Sequence, residues 1–525
     1  MTGEIMSMRP AAAVAVALLA AVLILVLGNR VRANVRESFT MAAALLMAGL
    51  VFSLVPAVAG GQVYVSSLWT IAEGITLKLR TDSAGMVFAC VASGLWILTS
   101  VYSIGYMRGH GEKNQTGYFA AFAVCLASAI GIAFAANLIT FFIFYEMLTI
   151  ATYPLVVHYR DDKARASGRK YLAYTLISGQ IFFAAIVWIY VKYGTLDFVA
   201  GGFIEAGSMS RGLMCLLFFM MIMGGAVKAG VMPLHGWLPA AMVAPTPVSA
   251  LLHAVAVVKA GAFCVLRVVL YVFGPQSASW CGGAEILSWL ALATVLLSSL
   301  VAVRQDNLKA RLAFSTVGQL SYIVLGVSLL SVYSVAGAIF HIVAHAFLKI
   351  TLFMAAGAIF VNLGLSEISS MRGIYKKMPL TSVCFAVASL GLAGLPLIVA
   401  FVSKFNILAG ALAVGRPLAI AVLLAAALLA LTYLLPVVGM FFAPDGGKKA
   451  LGSARSSEAP AGSVHGHGAH APARKNVWAM VAPLVLTCAI GVLLGFLPDA
   501  GPGLYGLAQQ AAEAVSGEGG VFLAE

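Results

Sequence analysis

Five charged side chains stand inside long apolar runs of this sequence. They are Glu146 in NLITFFIFYEMLTIATYPL, Lys228 in MMIMGGAVKAGVM, Lys259 in LLHAVAVVKAGAFCVL, Lys349 in HIVAHAFLKITLF and Lys404 in SLGLAGLPLIVAFVSKF. An isolated charge at the centre of a bilayer costs about 2.5–3.5 kcal/mol, so five unpaired charges would cost on the order of 10–15 kcal/mol. We therefore expect these groups to face one another, or water, inside a helical bundle.

Histidines extend this set of titratable groups. His341, His345 and Lys349 are four residues apart, so each is turned only about 40° from the last and all three line one helix face. A neutral imidazole accepts a proton on one nitrogen and donates from the other, so such a row can pass protons by hopping. His253 lies six residues before Lys259, about 240° around a regular helix, and is expected on another face. It therefore ranks behind the other seven candidates.

Lysine suits proton transfer because desolvation favours its neutral amine, and a nearby carboxylate restores the charged form. A change in the separation of Glu146 and Lys228 would then load or discharge a proton. Single buried lysines can instead brace a fold through backbone carbonyls, but four of them with a glutamate favour transport. Arg267, near the end of its helix, is expected to snorkel to the interface. Glu285 is interpreted as a plain loop acid.

The composition identifies the environment of these charges. The chain has 525 residues, of which 62% are hydrophobic and only 10% charged, whereas soluble proteins carry about 25% charged residues. Most apolar runs have the length needed to cross a bilayer as helix, about 18–25 residues. The predicted fold class is an all-α polytopic membrane protein with fourteen spans, the first being a retained helix and not a signal peptide. They cover roughly 11–28, 38–58, 84–106, 117–136, 138–157, 171–191, 213–232, 247–273, 286–303, 311–330, 334–361, 380–402, 414–442 and 477–497.

The net charge of +13 comes from basic residues whose distribution follows the order of the spans, and it does not indicate a nucleic-acid partner. If the N-terminus lies outside, 21 of the 32 basic residues fall in loops on the cytoplasmic side. This is the positive-inside distribution, and it predicts a bacterial inner-membrane protein with both termini outside. The opposite side carries six basic residues, namely Arg9, Lys78, Arg80, Lys192, Arg211 and Arg416.

No cofactor or metal site is predicted. The seven cysteines are scattered singly, without the spacing of an iron–sulfur, zinc or haem site, and no nucleotide-binding fingerprint follows a strand. Residues 444–476 are rich in Gly, Ala, Ser and Pro and predict a flexible cytoplasmic linker. Its His465, His467 and His470 are interpreted as solvated side chains, since no acidic residue or cysteine stands near them.

Helix breakers interrupt two spans, at residues 224–239 and 389–405, and each segment carries a lysine. Broken helices in corresponding halves are typical of transporters with internal repeats, where they lie beside the ion path. The two halves here are suggestive of such a repeat.

Four motifs resemble one known family. They are FYEMLTIATYPL (144–155), KAGVMPLHGWLP (228–239), APTPVSALLHAVAVVKAG (244–261) and HIVAHAFLKITLF (341–353). They look like the proton-conducting, antiporter-like subunits of Mrp-type Na⁺/H⁺ antiporters, respiratory complex I and membrane-bound hydrogenases, with a lean towards the D-type member of the Mrp set. The resemblance covers roughly residues 85–500 and implies two inverted five-helix repeats. The implied domains are helices 1–3 (1–110), the first repeat (111–275), the second repeat (276–443), the linker (444–476) and helix 14 with its tail (477–525).

The resemblance also implies roles for the buried groups. Glu146 and Lys228 are similar to the family's fifth-helix glutamate and seventh-helix lysine, and Lys259 to its connecting lysine. His341, His345 and Lys349 resemble the central relay, and Lys404 the terminal residue. One departure is that 171–191 has no carboxylate beside Lys228, so Glu146 is its only evident partner.

Two functions follow from this resemblance. The first is a proton-translocating subunit of a monovalent cation/proton antiporter complex; the alternative is a pumping subunit of an NADH:quinone oxidoreductase or hydrogenase complex. In both, the partners are other membrane subunits and the chain itself holds no redox site. A purely structural scaffold is disfavoured by the cost of the buried charges.

Overall fold

The computed structural model describes residues 4–72, 75–444 and 477–516. Apart from Pro444, the predicted linker and its three histidines lie outside the described residues. The helices are α1 Arg9–Leu27, α2 Ala33–Phe52, α3 Val55–Ala59, α4 Ser83–Gly109, α5 Gln115–Ala133, α6 Leu138–Val156, α7 Asp162–Tyr193, α8 Arg211–Ala229, α9 Trp237–Ala240, α10 Thr246–Ala250, α11 Val257–Arg267, α12 Gly274–Trp280, α13 Gly283–Val303, α14 Leu308–Ser328, α15 Val332–Leu363, α16 Pro379–Ala393, α17 Val399–Ala413, α18 Pro417–Phe442, α19 Val477–Phe496 and α20 Leu504–Ser516.

The predicted membrane architecture is confirmed. In the described ranges, thirteen helical stretches are long and apolar enough to span a bilayer, with α2–α3 and α10–α12 each counting as one. The shorter α16 and α17 are the two halves of one more crossing, which brings the total to fourteen. Large apolar side chains such as Leu19, Val191 and Leu428 point outward from the bundle, as expected of surfaces in contact with lipid. The chain is a multi-pass membrane protein.

Both predicted helix breaks are present. Helix α8 ends at Gly230, whose φ of +72° needs the left-handed region, and irregular turns lead on to α9. The second break follows α16, where Gly394 has a φ of +106° and α17 begins only at Val399. Glycine enters this region without the steric cost that a Cβ brings, so the two glycines allow the chain to leave its helix inside the membrane.

Two segments of the chain repeat one pattern of elements. Helices α7 and α15 both have 32 residues and start at positions 162 and 332. Asn137 caps α6 and bridges to Asp197, while Asn307 caps α14 and bridges to Glu367. In every one of these pairs the positions differ by 170 residues. Each segment contains five crossings, which is an odd number. The second segment therefore enters the membrane from the side opposite to that of the first.

A small sheet precedes α4, and the sequence interpretation did not foresee it. Strand β1 (Glu4–Met6) pairs in parallel with β2 (Val63–Ala72), which pairs antiparallel with β3 (Ile75–Arg80). The run VYVSSLWTIA in β2 is rich in β-branched and aromatic residues, which favour strands. At ten residues the run is also too short to cross a bilayer as helix, and it forms a sheet beside the end of the bundle.

Two crossings form the centre of the bundle. The most apolar stretches of α15 and of α10–α12 are completely buried. Helix α15 packs against α4, α14, α16, α17, α19 and α20. Helix α20 presents a buried face that includes Leu507 and Ala511. The groups carried by α15 and α11 are therefore shielded from both lipid and bulk solvent.

Helices α8 and α11 touch through glycines. A Cβ placed on Gly261 would overlap the backbone of Lys228 and Ala229, and one placed on Gly225 would lie 2.8 Å from the Gly261 carbonyl oxygen. Such contacts tolerate no side chain at these positions. The glycine pair thus fixes the separation of the two helices that carry Lys228 and Lys259.

Gly261→Ala tests this contact. The added methyl group must push α8 and α11 apart, at a cost of about 1–3 kcal/mol for overpacking. We expect a lower midpoint of thermal unfolding in mild detergent. Gly49→Ala in α2 is the control, since a Cβ there has open space around it and alanine is the better helix former. Equal midpoints for the two variants would contradict the proposed contact.

Candidate functional site

Lys228 lies in the last turn of α8 and is fully buried. Its Nζ atom donates a hydrogen bond of 2.7 Å to the Tyr145 carbonyl oxygen of α6. The same Nζ atom stands 3.2 Å from the centroid of the Tyr145 ring. A carbonyl dipole and the face of an aromatic ring both stabilise an ammonium group. The Lys228 ammonium group is thus stabilised by groups of α6, next to Glu146.

Glu146 is half-buried on α6 and faces α7. Its carboxylate packs against Gly179, where a Cβ would collide with it. Its Oε1 atom makes no hydrogen bond within the part of the chain that the structure describes. Lys228 donates its hydrogen bond to the carbonyl oxygen of Tyr145, the residue that directly precedes Glu146 in α6. Glu146 is therefore a nearby countercharge that is not locked in a direct ion pair.

Lys259 and the histidines of α15 form the middle of the site. Lys259, His341 and His345 are all fully buried, and the Lys259 Nζ atom contacts the His345 Nδ1 atom. The rings of His341 and His345 lie 6.3 Å apart, centroid to centroid. Lys349, one turn further along α15, is also fully buried, and its Nζ atom has no hydrogen-bond partner among the described residues. Four titratable groups thus share one buried region.

The third group of side chains surrounds the second helix break. The His341 Nδ1 atom lies 2.8 Å from the Ser403 Oγ atom, and the His341 ring stacks on Tyr322 with centroids 5.7 Å apart. The Lys404 Nζ atom stands 4.6 Å from the centroid of the same Tyr322 ring. It also donates to the Leu392 carbonyl oxygen at 2.6 Å, at the end of α16. The tyrosine ring therefore joins His341 to Lys404.

Sequence reasoning missed Ser403 and Tyr322. Ser403 had a signal, because it is a polar residue next to Lys404 in an interrupted apolar run. Tyr322 had none, since an aromatic residue in α14 looks like ordinary core until the packing of α14 against α15 and α17 is known.

The predicted residues are not all in contact. Lys259, His345, His341 and Lys404 follow one another through direct contacts or through Tyr322. Lys228 instead makes its contacts on α6, and the described structure records no contact between the Lys228 and Lys259 side chains. The contacts are therefore interrupted between Lys228 and the linked series that runs from Lys259 to Lys404, at the point where α8 and α11 touch through their glycines.

The expectation that His253 faces away from Lys259 is wrong. Residues Leu251–Val255 form a π-helical turn, and Ala256 has φ −109° and ψ −76°. The spacing of a regular α-helix does not apply across such a turn. The His253 ring packs against Phe353 of α15, with centroids 5.2 Å apart, so His253 and Lys259 both face α15.

The snorkelling expected of Arg267 is also wrong. Its side chain is 1% exposed and forms an ion pair of 2.7 Å with Asp82, which caps the start of α4. The guanidinium also lies over the rings of Tyr271 and Phe263. Arg267 therefore ties α11 to α4 inside the bundle. Glu285 lies in the first turn of α13, not in a loop, and forms an exposed ion pair with Arg416.

The described residues contain no group of three or more His, Cys, Asp and Glu side chains placed to hold a metal ion. The seven cysteines are free. The polar groups that the fold does bring together in the membrane are lysines, histidines, hydroxyls and one glutamate, which can hold and exchange protons.

A membrane bundle with two broken crossings and a buried series of lysines and histidines defines a class of transporter-like, titratable membrane proteins. The chain belongs to the NADH:quinone oxidoreductase/Mrp antiporter transmembrane family, whose model matches residues 135–430, more than half of the chain. The resemblance predicted from the four motifs is thereby confirmed.

The relatives of this chain include both oxidoreductase subunits and antiporter subunits. NADH-quinone oxidoreductase subunit N of Desulforudis audaxviator (strain MP104C) is 30% identical over 77% of this chain and 80% of its own length. A component of a probable K⁺/H⁺ antiporter of Rhizobium meliloti (strain 1021) is 33% identical over 70% of this chain, which spans only 36% of that relative. A solved structure of the Mrp complex from Dietzia sp. DQ12-45-1b contains a chain of the same fold, with a TM-score of 0.81, 24% identity, and coverage of 96% of this chain and 97% of that one.

Removing Arg267 tests its structural role. Arg267→Ala leaves the Asp82 carboxylate partly buried without its cation, which costs about 3–5 kcal/mol when one partner of a buried pair is lost. We expect a clear drop in the midpoint of thermal unfolding in detergent. Arg416→Ala is the matched control, because its pair with Glu285 is exposed and such pairs contribute about 1 kcal/mol or less. A similar small drop for both variants would show that the Asp82–Arg267 pair does not stabilise the bundle.

Proposed function

We propose that this chain is the proton-translocating subunit of a multisubunit monovalent cation/proton antiporter. The observation that carries the proposal is the linked series Lys259, His345, His341, Tyr322 and Lys404, whose first four side chains are buried in the bundle while Lys404 is half-buried at its end. Charges so costly in a membrane mark ion paths and proton relays. The antiporter relative and the Mrp fold lend further support.

In this proposal the seven groups predicted from the sequence exchange protons in order. Glu146 and Lys228 form the first cluster; Lys259, His345, His341 and Lys349 form the central one, and Lys404 the last. Each lysine alternates between ammonium and neutral amine, and each imidazole accepts on one nitrogen and releases from the other. The chain works beside other membrane subunits, which supply the cation path.

The proposed membrane is the bacterial inner membrane, with both termini outside. Its support is the concentration of basic residues in alternate loops, because short cytoplasmic loops of inner-membrane proteins are enriched in lysine and arginine.

The direct test is transport by the assembled complex in sealed vesicles. We expect Glu146→Gln, Lys228→Ala and Lys404→Met each to slow the proton movement that added Na⁺ or K⁺ elicits by about a hundredfold or more, since each removes a proton-transfer group. A pH-sensitive dye follows the rate, and the amount of assembled complex is measured in parallel. Lys192→Ala is the control, because Lys192 bonds only outside the buried series, to the Ser208 carbonyl oxygen and over the Tyr193 ring. Normal transport by the three variants would leave the scaffold interpretation standing.

Tyr322 provides a sharper comparison. Tyr322→Phe keeps the ring that His341 and Lys404 share, whereas Tyr322→Leu removes it. We expect the phenylalanine variant to transport within about twofold of the wild type and the leucine variant to be slower by about tenfold, consistent with the loss of a cation–π contact of about 1–2 kcal/mol. If the two variants behaved alike, the ring would not be part of the path.

The alternative function is a proton-pumping subunit of a redox-driven complex. The observation that favours it is the relative named subunit N of an NADH-quinone oxidoreductase, 80% of whose length this chain covers. The two functions need the same buried groups and differ in their partners. Mass-spectrometric identification of the proteins that co-purify in mild detergent separates them: hydrophobic antiporter subunits support the first, and iron–sulfur or flavin proteins the second.

A further inference from the structure

A second titratable cluster lies outside the series described above. Glu112, in the loop between α4 and α5, has a side chain only 6% exposed. The Tyr159 hydroxyl donates to it at 2.8 Å, the His110 Nδ1 atom lies 2.9 Å away and the His158 Nε2 atom 3.5 Å away. A carboxylate and two imidazoles thus meet on the face of the bundle where the basic loops lie.

The charge state of this cluster follows from its contacts. Burial raises the pKa of Glu112, but the hydrogen bonds from His110, His158 and Tyr159 outweigh it and hold that pKa at about 2. The carboxylate is therefore ionised throughout the physiological range and places a fixed negative charge beside the two imidazoles. The other titratable groups around it are Tyr106, Tyr118 and Lys309.

A line of hydroxyl groups leads from Glu112 into the bundle. The Tyr159 hydroxyl donates to Glu112, and the Tyr106 ring stacks on the His110 ring with centroids 6.0 Å apart, so both tyrosines border the cluster. The Tyr106 hydroxyl in turn lies 3.5 Å from the Thr246 Oγ1 atom, and both side chains are 1% exposed. Thr246 is the first residue of α10, the helix that continues to His253.

Unpartnered polar groups continue this line. Ser249 and His253 are fully buried, and neither the Ser249 Oγ atom nor either His253 ring nitrogen has a hydrogen-bond partner in the described ranges. The Lys349 Nζ atom also has no hydrogen-bond partner in the described ranges. Buried polar groups in folded proteins take protein or water partners. Two such side chains between Thr246 and Lys349 of the central cluster therefore favour water in that interval, and Thr246 and His253 are about 10 Å apart at 1.5 Å per residue.

We propose that Glu112, His110 and His158 form the port through which protons pass between water at the basic face and the buried series. Tyr159, Tyr106 and Thr246 connect this port to Ser249 and His253. Each hydroxyl accepts one proton and releases another, so no charge builds up along the line, and rotation of the hydroxyls resets it for the next transfer. The line serves either direction of net flow. The inference rests on the proposed function, because a port is needed only if the buried series carries protons.

The test compares variants of the assembled complex reconstituted in liposomes. Glu112→Gln and Tyr106→Phe remove the carboxylate charge and one connecting hydroxyl, and we expect each to slow proton movement by at least about tenfold. Tyr118→Phe is the matched control: among the described residues its hydroxyl bonds to Ser103 alone, at 3.0 Å, although its ring touches His158. Thr246→Val is the reserve variant if either substitution prevents assembly.

A pH profile separates proton supply from a merely structural effect. Without the Glu112 carboxylate the port loses its fixed negative charge, so Glu112→Gln loses most transport where protons are scarce, and the alkaline limit of transport moves down by at least about one pH unit. Glu112→Asp keeps the charge, and we expect it to retain most of the wild-type profile.

The outcomes distinguish the port from the function it serves. In one outcome Lys228→Ala and Lys404→Met stop transport, while the three port variants stay within twofold of the wild type; these are Glu112→Gln, Tyr106→Phe and Thr246→Val. The proposal of a port is then wrong and the proposed function stands. If the two lysine variants transport normally, the proposed function fails, and the port fails with it.

Discussion

The interior of this protein must stabilise ammonium groups in a region where water is scarce. Moving a charged group from water to a medium of low dielectric is so costly that each must be met by an opposite charge, a dipole or an aromatic face. Lys228 is met by a carbonyl and a ring of Tyr145, Lys404 by the Leu392 carbonyl and the Tyr322 ring. Both lysines therefore contact a carbonyl oxygen and an aromatic ring in place of a direct ion pair.

Irregular backbone supplies part of these partners. The carbonyls at the end of a helix have no amide partner within it, and the negative end of the helix dipole favours a cation there. The break after Ala393 leaves such carbonyls inside the membrane, and Lys404 from the following helix binds two of them. The π-helical turn at Leu251–Val255 has a different effect, because it rotates His253 toward α15. The irregular turns thus lie beside titratable side chains, where they either supply a hydrogen-bond acceptor or change the orientation of the side chain.

The sequence could predict what depends on local spacing. The crossings follow from apolar runs, both breaks from glycine and proline, and the shared face of His341 and His345 from their separation of four residues. It could not predict contacts between distant segments: the stacking of His341 on Tyr322 depends on how α14 and α15 cross. Arg267 was misjudged for the same reason, because its partner Asp82 lies 185 residues away in the chain. The error over His253 is different, since it came from assuming a regular helix.

The two broken crossings place their lysines differently, and this has a consequence for charge. In the first repeat Lys228 precedes its break and lies near Glu146, so loss of its proton would leave a carboxylate without its countercharge. In the second repeat Lys404 follows the break and is held by carbonyls and a ring, so its deprotonation strands no anion. The charge of the first lysine therefore lies beside a carboxylate, whereas that of the second is stabilised by carbonyl dipoles and an aromatic ring. The repeats share an architecture, yet the two ends of the series are not electrostatically equivalent.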